Sequence, residues 1–250
     1  MPADSLARAA ARAGNALRRL AAGLPARGGV SPAAPNDLFV AHLAAYRLAA
    51  RYAGGRRVLD LGTGTGYGAA ELARAGAEEV VGLDPDARSL AYAGKRFGGP
   101  RVRFVAGRAE DPPRPLGEAP FGLVVAANLL AHLADPAAAI DGARRALAAD
   151  GVFLATVPPI VDDKMMEQQR AGGVHRANRY LWDWERLFRP RFRDLRLYRL
   201  AAPPGEPIDL ADPRRSRLRA EDFRWDEVSL AVPSGLGTLA AAFVAGSPTL

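Results

Sequence analysis

The sequence predicts an α/β protein whose sheet is doubly wound and mostly parallel. Between Arg57 and Val157, short apolar runs alternate with segments of helical periodicity, which is the pattern of parallel strands covered by helices on both faces. The run FGLVVAAN is almost entirely apolar, as expected for a central strand buried on both faces. The stretch VLDLGTGTGYG combines a buried strand with a glycine-rich turn, and an open parallel sheet commonly starts with such a unit.

The first half of the pattern opens with a helix. Asn36-Asp37 can cap a helix over residues 37–53, where apolar residues recur at near-helical spacing. Glycines then end it. The elements predicted after it are a strand at 57–61, a helix at about 67–75, a strand ending at Asp84, a helix from Asp86 to Phe97 and a strand at 102–107.

The second half adds two more strands of the alternating pattern and then changes character. Asp135 as cap, Pro136 at the first position and Gly151 after the end predict a helix between strands 121–128 and 152–157. The elements predicted beyond Pro158-Pro159 are a loop or lid at 160–178, a helix at 180–192, a strand at 193–201, an inserted loop at 202–226 and a last strand at 238–246. Together these make seven strands, with an antiparallel strand near the C-terminus.

Composition bounds the domain organisation. The length of 250 residues suits one α/β domain with additions. We expect a basic tail or helix with a linker at 1–35, and one domain at 36–250 whose lid and acceptor segments lie at 160–178 and 202–235.

Charge and cysteine content bound the function. There is no cysteine, which excludes disulfides, thiolate metal sites and a cysteine nucleophile and fits a cytoplasmic location. The net charge of +7 comes almost wholly from scattered arginines, so a codon bias is favoured over a nucleic-acid patch. No apolar run reaches the roughly 18 residues of a membrane span.

The glycine turn favours one class of nucleotide cofactor. The dinucleotide pattern GxGxxG would place its third glycine at Tyr67, so that fit is imperfect. Asp60, directly before the turn, would repel a pyrophosphate but would suit the cationic end of S-adenosylmethionine. A phosphate-clamping GK[ST] is missing. Three widely spaced histidines without cysteine argue against a zinc site.

This stretch resembles motif I of the class I S-adenosylmethionine-dependent methyltransferases, close to the broad small-molecule group. VVGLDPDARSLAYA and VRFVAGRAEDPP resemble the family's second- and third-strand motifs, and the run from Phe121 to Pro159 resembles its fourth and fifth strands. HRANRYLWDWERLF resembles the segment before strand six. The resemblance covers roughly residues 36–200. It implies a Rossmann-like fold, S-adenosylmethionine as cofactor and a methyltransferase of EC class 2.1.1.

The resemblance also implies roles for residues at the first two strand ends. Gly62 and Gly64, with Thr63 between them, would let the backbone approach the methionine end of the cofactor. Asp60 would help to hold the ammonium, and Asp84 would accept both ribose hydroxyls. The alternative for Asp84 is a helix cap before a proline.

Further cofactor contacts are implied along the chain. Ala109 would offer its N–H to the adenine with Glu110 nearby, Asn128 would face the methionine and sulfonium region, and Tyr67 would pack near the cofactor. One departure concerns Arg108, which stands where the family usually has an aspartate that accepts a hydrogen bond from the adenine amino group. Arginine cannot accept that bond.

Histidine is the usual general base near neutral pH. His132, after strand four, and His175, in the lid segment, are the candidates on the acceptor side, although a structural or solvent-facing role is equally compatible with each. His42 lies in the first helix, which covers the cofactor pocket in this family. Trp182 and Trp184 cannot share one helix face, so we expect one of them in the core and the other at the acceptor cleft.

Several functions therefore stay open at this stage. The favoured one is methyl transfer to an oxygen, nitrogen or carbon of a small-molecule, sugar or lipid-linked acceptor. The alternative is a weak or inactive binding protein with the same fold. A nucleic-acid methyltransferase ranks lower because Asn128 is followed by Leu-Leu-Ala, whereas amino-methylating enzymes have Pro-Pro-aromatic there. An NAD-dependent oxidoreductase ranks lower because the third glycine is missing.

Overall fold

The computed structural model describes residues 35–248 except 114–115, 117–118, 202, 205–207, 211–213 and 230–237, together with Pro32. The tail or helix predicted within 1–35 therefore lies almost wholly outside the described residues, as does part of the segment 202–235. The described strands form a single sheet. They are β1 (Arg57–Leu61), β2 (Glu79–Asp84), β3 (Val102–Ala106), β4 (Phe121–Ala126), β5 (Leu147–Val157), β6 (Phe192–Ala201), β7 (Arg224–Val228) and β8 (Thr238–Pro248).

The sheet has the strand order β3-β2-β1-β4-β5-β8-β6-β7. The first five strands run parallel to one another, while β8 is antiparallel to both β5 and β6. The predicted doubly wound, mostly parallel sheet with an antiparallel strand near the C-terminus is confirmed. Because β1 lies between β2 and β4, the strand order reverses there, and ligands of open α/β sheets bind at such a switch point.

Six helices accompany the sheet in the described part of the chain. They are α1 (Asp37–Ala50), α2 (Tyr67–Arg74), α3 (Ala87–Phe97), α4 (Pro136–Ala146), α5 (Asp163–Gly172) and α6 (Leu181–Phe188). The predicted caps are present: the Asn36 side chain accepts a hydrogen bond from the Phe39 N–H, and the Asp135 side chain accepts one from the Ala138 N–H. These caps satisfy backbone donors that a helix start leaves unpaired.

Three elements differ from the expectation. Helix α4 ends at Ala146 and β5 begins at Leu147, although the sequence predicts that the helix continues to the residues before Gly151. The inserted loop predicted at 202–226 runs into an eighth strand, because β7 pairs antiparallel with the edge of β6. Its sequence RWDEV has little apolar alternation, so the pattern gives no strand signal. The lid segment 160–178 contains α5, which begins where the Asp162 side chain accepts from the Met165 N–H and ends at Gly173 in the left-handed conformation.

The core lies on both faces of the sheet. On one face, α4 and α6 pack against the strands through a cluster that includes Phe153, Trp184 and Phe188. On the other face, α1 and α2 pack through Tyr46, Leu48 and Leu72. Trp184 is completely buried whereas Trp182 is 37% exposed, which confirms that only one of the pair belongs to the core. No helix among the described residues is long and apolar enough to cross a membrane.

Candidate cofactor and acceptor cleft

A cleft of about 230 Å³ opens where the parallel strands end. Five of the predicted site residues line it, from the loops after β1, β2, β3 and β4: Gly62, Asp84, Ala109, Glu110 and His132. The other predicted residues do not line this cleft: Asp60, Thr63, Gly64, Tyr67, Asn128 and His175. The structure thus brings the predicted ribose residue, the predicted adenine residues and one of the two acceptor-side histidines together in one cleft. The other predicted residues lie outside its lining.

The turn after β1 depends on its glycines. Gly62 and Gly64 have φ angles of +70° and +53°, a region that costs other residues steric strain. The N–H groups of Gly62 and Thr63 both donate to the Leu83 carbonyl, at 2.8 and 3.0 Å. A Cβ on Gly62 would lie 2.6 Å from a methyl carbon of Leu129. The backbone therefore follows a path that only glycine tolerates and is open to close approach on its cleft side.

Asp84 is held by backbone hydrogen bonds at the tip of β2. The Gly64 N–H donates to its Oδ2 and the Asp86 N–H donates to its Oδ1, each at 2.9 Å. The cap of α3 is Asp86, whose side chain accepts from the Arg88 and Ser89 N–H groups. Each Asp84 oxygen keeps a further lone pair. Burial raises the pKa of Asp84, and the two backbone hydrogen bonds oppose that rise.

Asp60 lies beneath the glycine turn and has no exposed surface. Burial raises its pKa to about 7, against the nearby hydroxyls of Thr63 and Tyr46, which favour the charged form. The Tyr46 hydroxyl donates to Asp60 Oδ1 at 3.1 Å. Asp60 Oδ2 and Thr63 Oγ1 are buried with no hydrogen-bond partner of good geometry. Unpaired buried oxygens beside the turn fit a cofactor whose methionine end carries an ammonium donor.

Tyr67 and His42 belong to the packing between α1 and α2. The Tyr67 ring lies 5.0 Å from the Phe39 ring and 5.5 Å from the Tyr46 ring, and its hydroxyl lies 3.4 Å from His42 Nδ1. Burial, aided by the proximity of His132, lowers the pKa of His42 to about 4. The aromatic contacts thus pack α1 against Tyr67, the first residue of α2 after the glycine turn.

Asn128 shapes the loop after β4. With a φ of +53° it is the one non-glycine residue with positive φ among those described, and asparagine tolerates this conformation better than most residues. Its N–H donates to Thr156 Oγ1 at 2.8 Å, and the Thr156 hydroxyl donates back to Asn128 Oδ1 at 3.2 Å. Thr156, which the sequence reasoning missed, therefore fixes the turn that brings Leu129 against Gly62.

His132 and His175 form a ring pair at the acceptor side. Their centroids are 4.7 Å apart. His132 Nδ1 lies 3.2 Å from the Val174 carbonyl oxygen, and His175 Nδ1 lies 2.8 Å from Gln169 Oε1. Because both partners are acceptors, the hydrogen of each neutral ring sits on Nδ1 and leaves the Nε2 lone pair free. Desolvation lowers the pKa of His132, and desolvation followed by the proximity of His132 lowers that of His175 to about 4.

Two arginines line the cleft as well. Arg108 donates from Nη2 to Glu110 Oε1 at 2.9 Å, so the arginine in place of the family's usual aspartate is paired with its neighbouring acid. Arg176 lines the cleft with an exposed side chain. The sequence reasoning missed Arg176, whose one signal was its position directly after His175.

Comparison with known proteins agrees with this geometry. Residues 58–151 match the family model described as a methyltransferase domain. Residues 58–151 of this chain therefore belong to a methyltransferase domain. A probable S-adenosylmethionine-dependent methyltransferase of Mycolicibacterium smegmatis is 36% identical over 123 residues, which are 49% of this chain and 46% of that relative. The chain thus matches just under half the length of the curated relative. The match supports the predicted methyltransferase family, and the cofactor in the relative's name is the one that the sequence predicts.

Solved methyltransferase structures share the fold. A possible histamine N-methyltransferase of Thermotoga maritima has a TM-score of 0.60 at 18% identity and covers 84% of this chain and 91% of its own. The N-methyltransferase NodS of Bradyrhizobium japonicum, solved with S-adenosyl-L-homocysteine, has a TM-score of 0.58 at 16% identity and covers 86% of this chain and 89% of its own. A putative Haloferax volcanii methyltransferase in complex with the Trm112 activator has a TM-score of 0.58 at 19% identity and covers 83% and 91%.

Proposed function

We propose that this protein transfers a methyl group from S-adenosylmethionine to an oxygen, nitrogen or carbon of a small-molecule, sugar or lipid-linked acceptor, in the cytoplasm. The observation that carries the proposal is Asp84, held by two backbone N–H groups at the rim of the cleft and next to the glycine turn. A carboxylate with free lone pairs in this position suits the two hydroxyls of a ribose.

The residues present would hold such a cofactor in a consistent order. Gly62 borders the cleft where the methionine end would lie, and the unpaired Oδ2 of Asp60 would accept a hydrogen bond from its ammonium. Ala109 and Glu110 border the space for the adenine beyond Asp84. When bound, the cofactor supplies a methyl group on a sulfonium that departs as a neutral thioether.

The chain's own chemical task is to position the acceptor and, where the acceptor must lose a proton, to take it up. His132 lines the cleft with a free Nε2 lone pair, and its lowered pKa keeps it neutral at pH 7. We assign it the role of general base. His175, bonded to Gln169 and in contact with the His132 ring, supports it.

Calorimetric titration with S-adenosylhomocysteine tests the cofactor part. We expect the wild type to bind and Asp84→Ala to bind at least about tenfold more weakly, because the ribose acceptor is lost. Asp86→Ala is the matched control, since it removes the neighbouring carboxylate and cap of α3 while keeping the N–H that bonds Asp84. A wild type that does not bind S-adenosylhomocysteine would contradict the proposal.

The catalytic part needs an acceptor search. The protein is incubated with isotopically labelled S-adenosylmethionine and a lysate of the source cell, and labelled species are found by mass. We expect a labelled product whose rate of formation falls about a hundredfold in His132→Gln if the acceptor must be deprotonated.

A second candidate function is that of a non-catalytic binding protein with the methyltransferase fold. The ion pair between Arg108 and Glu110 favours it, because this pair engages the acid nearest the adenine space. It predicts weak cofactor affinity that Arg108→Asp improves, and no labelled product from any lysate fraction.

A further inference from the structure

The two walls of the cleft differ in charge. Asp84 and Glu110 border the wall that would hold the cofactor, where Arg108 is paired with Glu110. The part of the lining with His132 and Arg176 is called the acceptor wall below. Arg176 belongs to the stretch RAGGVHRANRY, which has three arginines and a histidine but no acid. Within the described part of the chain, the Arg176 guanidinium makes no ion pair or hydrogen bond. A free cation facing the cleft is available to a ligand.

Unpaired buried polar atoms lie in this segment and next to it. Arg179 Nε is buried without a hydrogen-bond partner in the described residues, and the same holds for Asn178 Oδ1 and for the indole Nε1 of Trp184. The Arg179 guanidinium carbon lies 5.8 Å from the Trp184 ring centroid. An unpaired buried donor is unfavourable for the folded protein. The unpaired Nε–H of Arg179 is therefore available to a ligand that accepts hydrogen bonds, whereas the Trp184 indole is enclosed in the core.

The backbone fixes this segment beside the histidine pair. The N–H groups of Arg176 and Ala177 both donate to the Ala131 carbonyl at 2.9 Å. Asn178 Nδ2 donates to the His175 carbonyl at 3.2 Å. The segment that carries both arginines, three positions apart, is thus tied to the loop that carries His132.

We propose that the methyl acceptor carries an anionic group, a carboxylate or a phosphate, which Arg176 binds at the acceptor wall together with the neighbouring Arg179. Guanidinium groups recognise both anions through paired N–H donors, which give position as well as affinity. Bound there, the anionic group would hold the acceptor's nucleophilic atom between His132 and the glycine turn. This inference rests on the proposed function, because it names the substrate class of the same site.

The test uses the full chain saturated with S-adenosylhomocysteine at pH 7.5, titrated calorimetrically with inorganic phosphate and separately with acetate. We expect at least one anion to bind, and its affinity to fall about fivefold or more in Arg176→Gln and in Arg179→Gln. The two anions distinguish a phosphorylated from a carboxylated acceptor. Arg186→Gln is the matched control, because Arg186 is an exposed arginine of α6 paired with Asp183.

Three results would overturn the inference: no binding of either anion, equal weakening in Arg186→Gln, or a loss of S-adenosylhomocysteine affinity in Arg176→Gln, which would assign Arg176 to the carboxylate of the cofactor. Arg176→Gln carries the test even if Arg179→Gln unfolds, since Arg176 is exposed. Failure of the proposed function is a separate result, seen as no S-adenosylhomocysteine binding. The anions are then titrated into the cofactor-free protein, where the same expectations apply.

Discussion

The two walls of the cleft are built in different ways. The wall at the glycine turn is made by the backbone: positive φ angles at Gly62 and Gly64, and N–H groups bonded to Leu83 and Asp84. The acceptor wall is made by side chains on a segment that two backbone N–H groups tie to the Ala131 carbonyl. A backbone-built wall can change little without changing the fold, whereas side chains on a tied segment can be exchanged. The difference suits a constant cofactor on one side and a specific acceptor on the other.

The largest expected effect concerns the pH dependence of stability that the buried carboxyl of Asp60 produces. The folded-state pKa of Asp60 is about 7 and its ordinary value is 3.8, so the folded protein binds the proton more tightly and stability falls as pH rises from the ordinary pKa to the folded-state pKa. Urea denaturation should show that the wild type loses about 2–3 kcal/mol more than Asp60→Asn between pH 5 and pH 8. If the unfolding free energies of the two proteins change with pH in the same way, the raised pKa of the Asp60 carboxyl is contradicted.

A smaller loss is expected from Gly62→Ala. The positive φ and the contact with Leu129 together should cost about 2 kcal/mol of unfolding free energy and weaken S-adenosylhomocysteine binding. Gly94→Ala in α3 is the control, because nothing lies within 4 Å of its added Cβ and alanine favours a helix by about 0.5–1 kcal/mol. Thermal unfolding should move the two variants in opposite directions. A Gly62→Ala protein as stable as the control would remove the case for a backbone-built wall.

Asn128→Ala should cost about 1 kcal/mol, since the hydrogen bond from the Thr156 hydroxyl is lost and alanine tolerates a φ of +53° poorly. Asn128→Gly keeps the backbone conformation accessible and separates the two causes. Denaturation midpoints of the three proteins measure this. If glycine is no better than alanine, the hydrogen bond accounts for the whole effect.

The smallest effect is expected at Trp182 in α6, the helix that directly follows the segment of the acceptor wall. Trp182 stacks on Tyr180 with centroids 4.6 Å apart and planes at 9°, yet it is partly exposed, so Trp182→Ala should change stability by no more than about 0.5 kcal/mol. Chemical denaturation decides. A loss of unfolding free energy as large as that of Asn128→Ala would show that Trp182 contributes to the stability of the fold.

The first wall was predictable from the sequence because its chemistry is local. A strand, a run of glycines and an acid at the next strand tip follow one another in the chain, and parallel strand ends meet at one edge of a sheet. The caps at Asn36 and Asp135 are equally local signals. For this reason the predicted sheet, Gly62 and Asp84 are found where the pattern indicates.

The contacts that the sequence did not reveal join distant residues. Tyr46 reaches Asp60 from another helix, Thr156 holds Asn128 from the next strand, and Arg176 reaches the cleft through the Ala131 carbonyl. No periodicity records such pairs, since each depends on how finished elements pack. The strand Arg224–Val228 is similar: it follows an available sheet edge rather than an apolar pattern of its own.

The packing of α1 on α2 has a practical consequence for the design of shorter expression fragments. Gly68 has no side chain, and a Cβ there would run into the Tyr46 ring, so α1 lies directly on α2 and seals Asp60 from water. The match to the methyltransferase domain begins only at residue 58, yet an expression fragment cut at that boundary would leave a hydrated carboxylate and an uncovered apolar face. The shortest useful fragment therefore starts before Asn36.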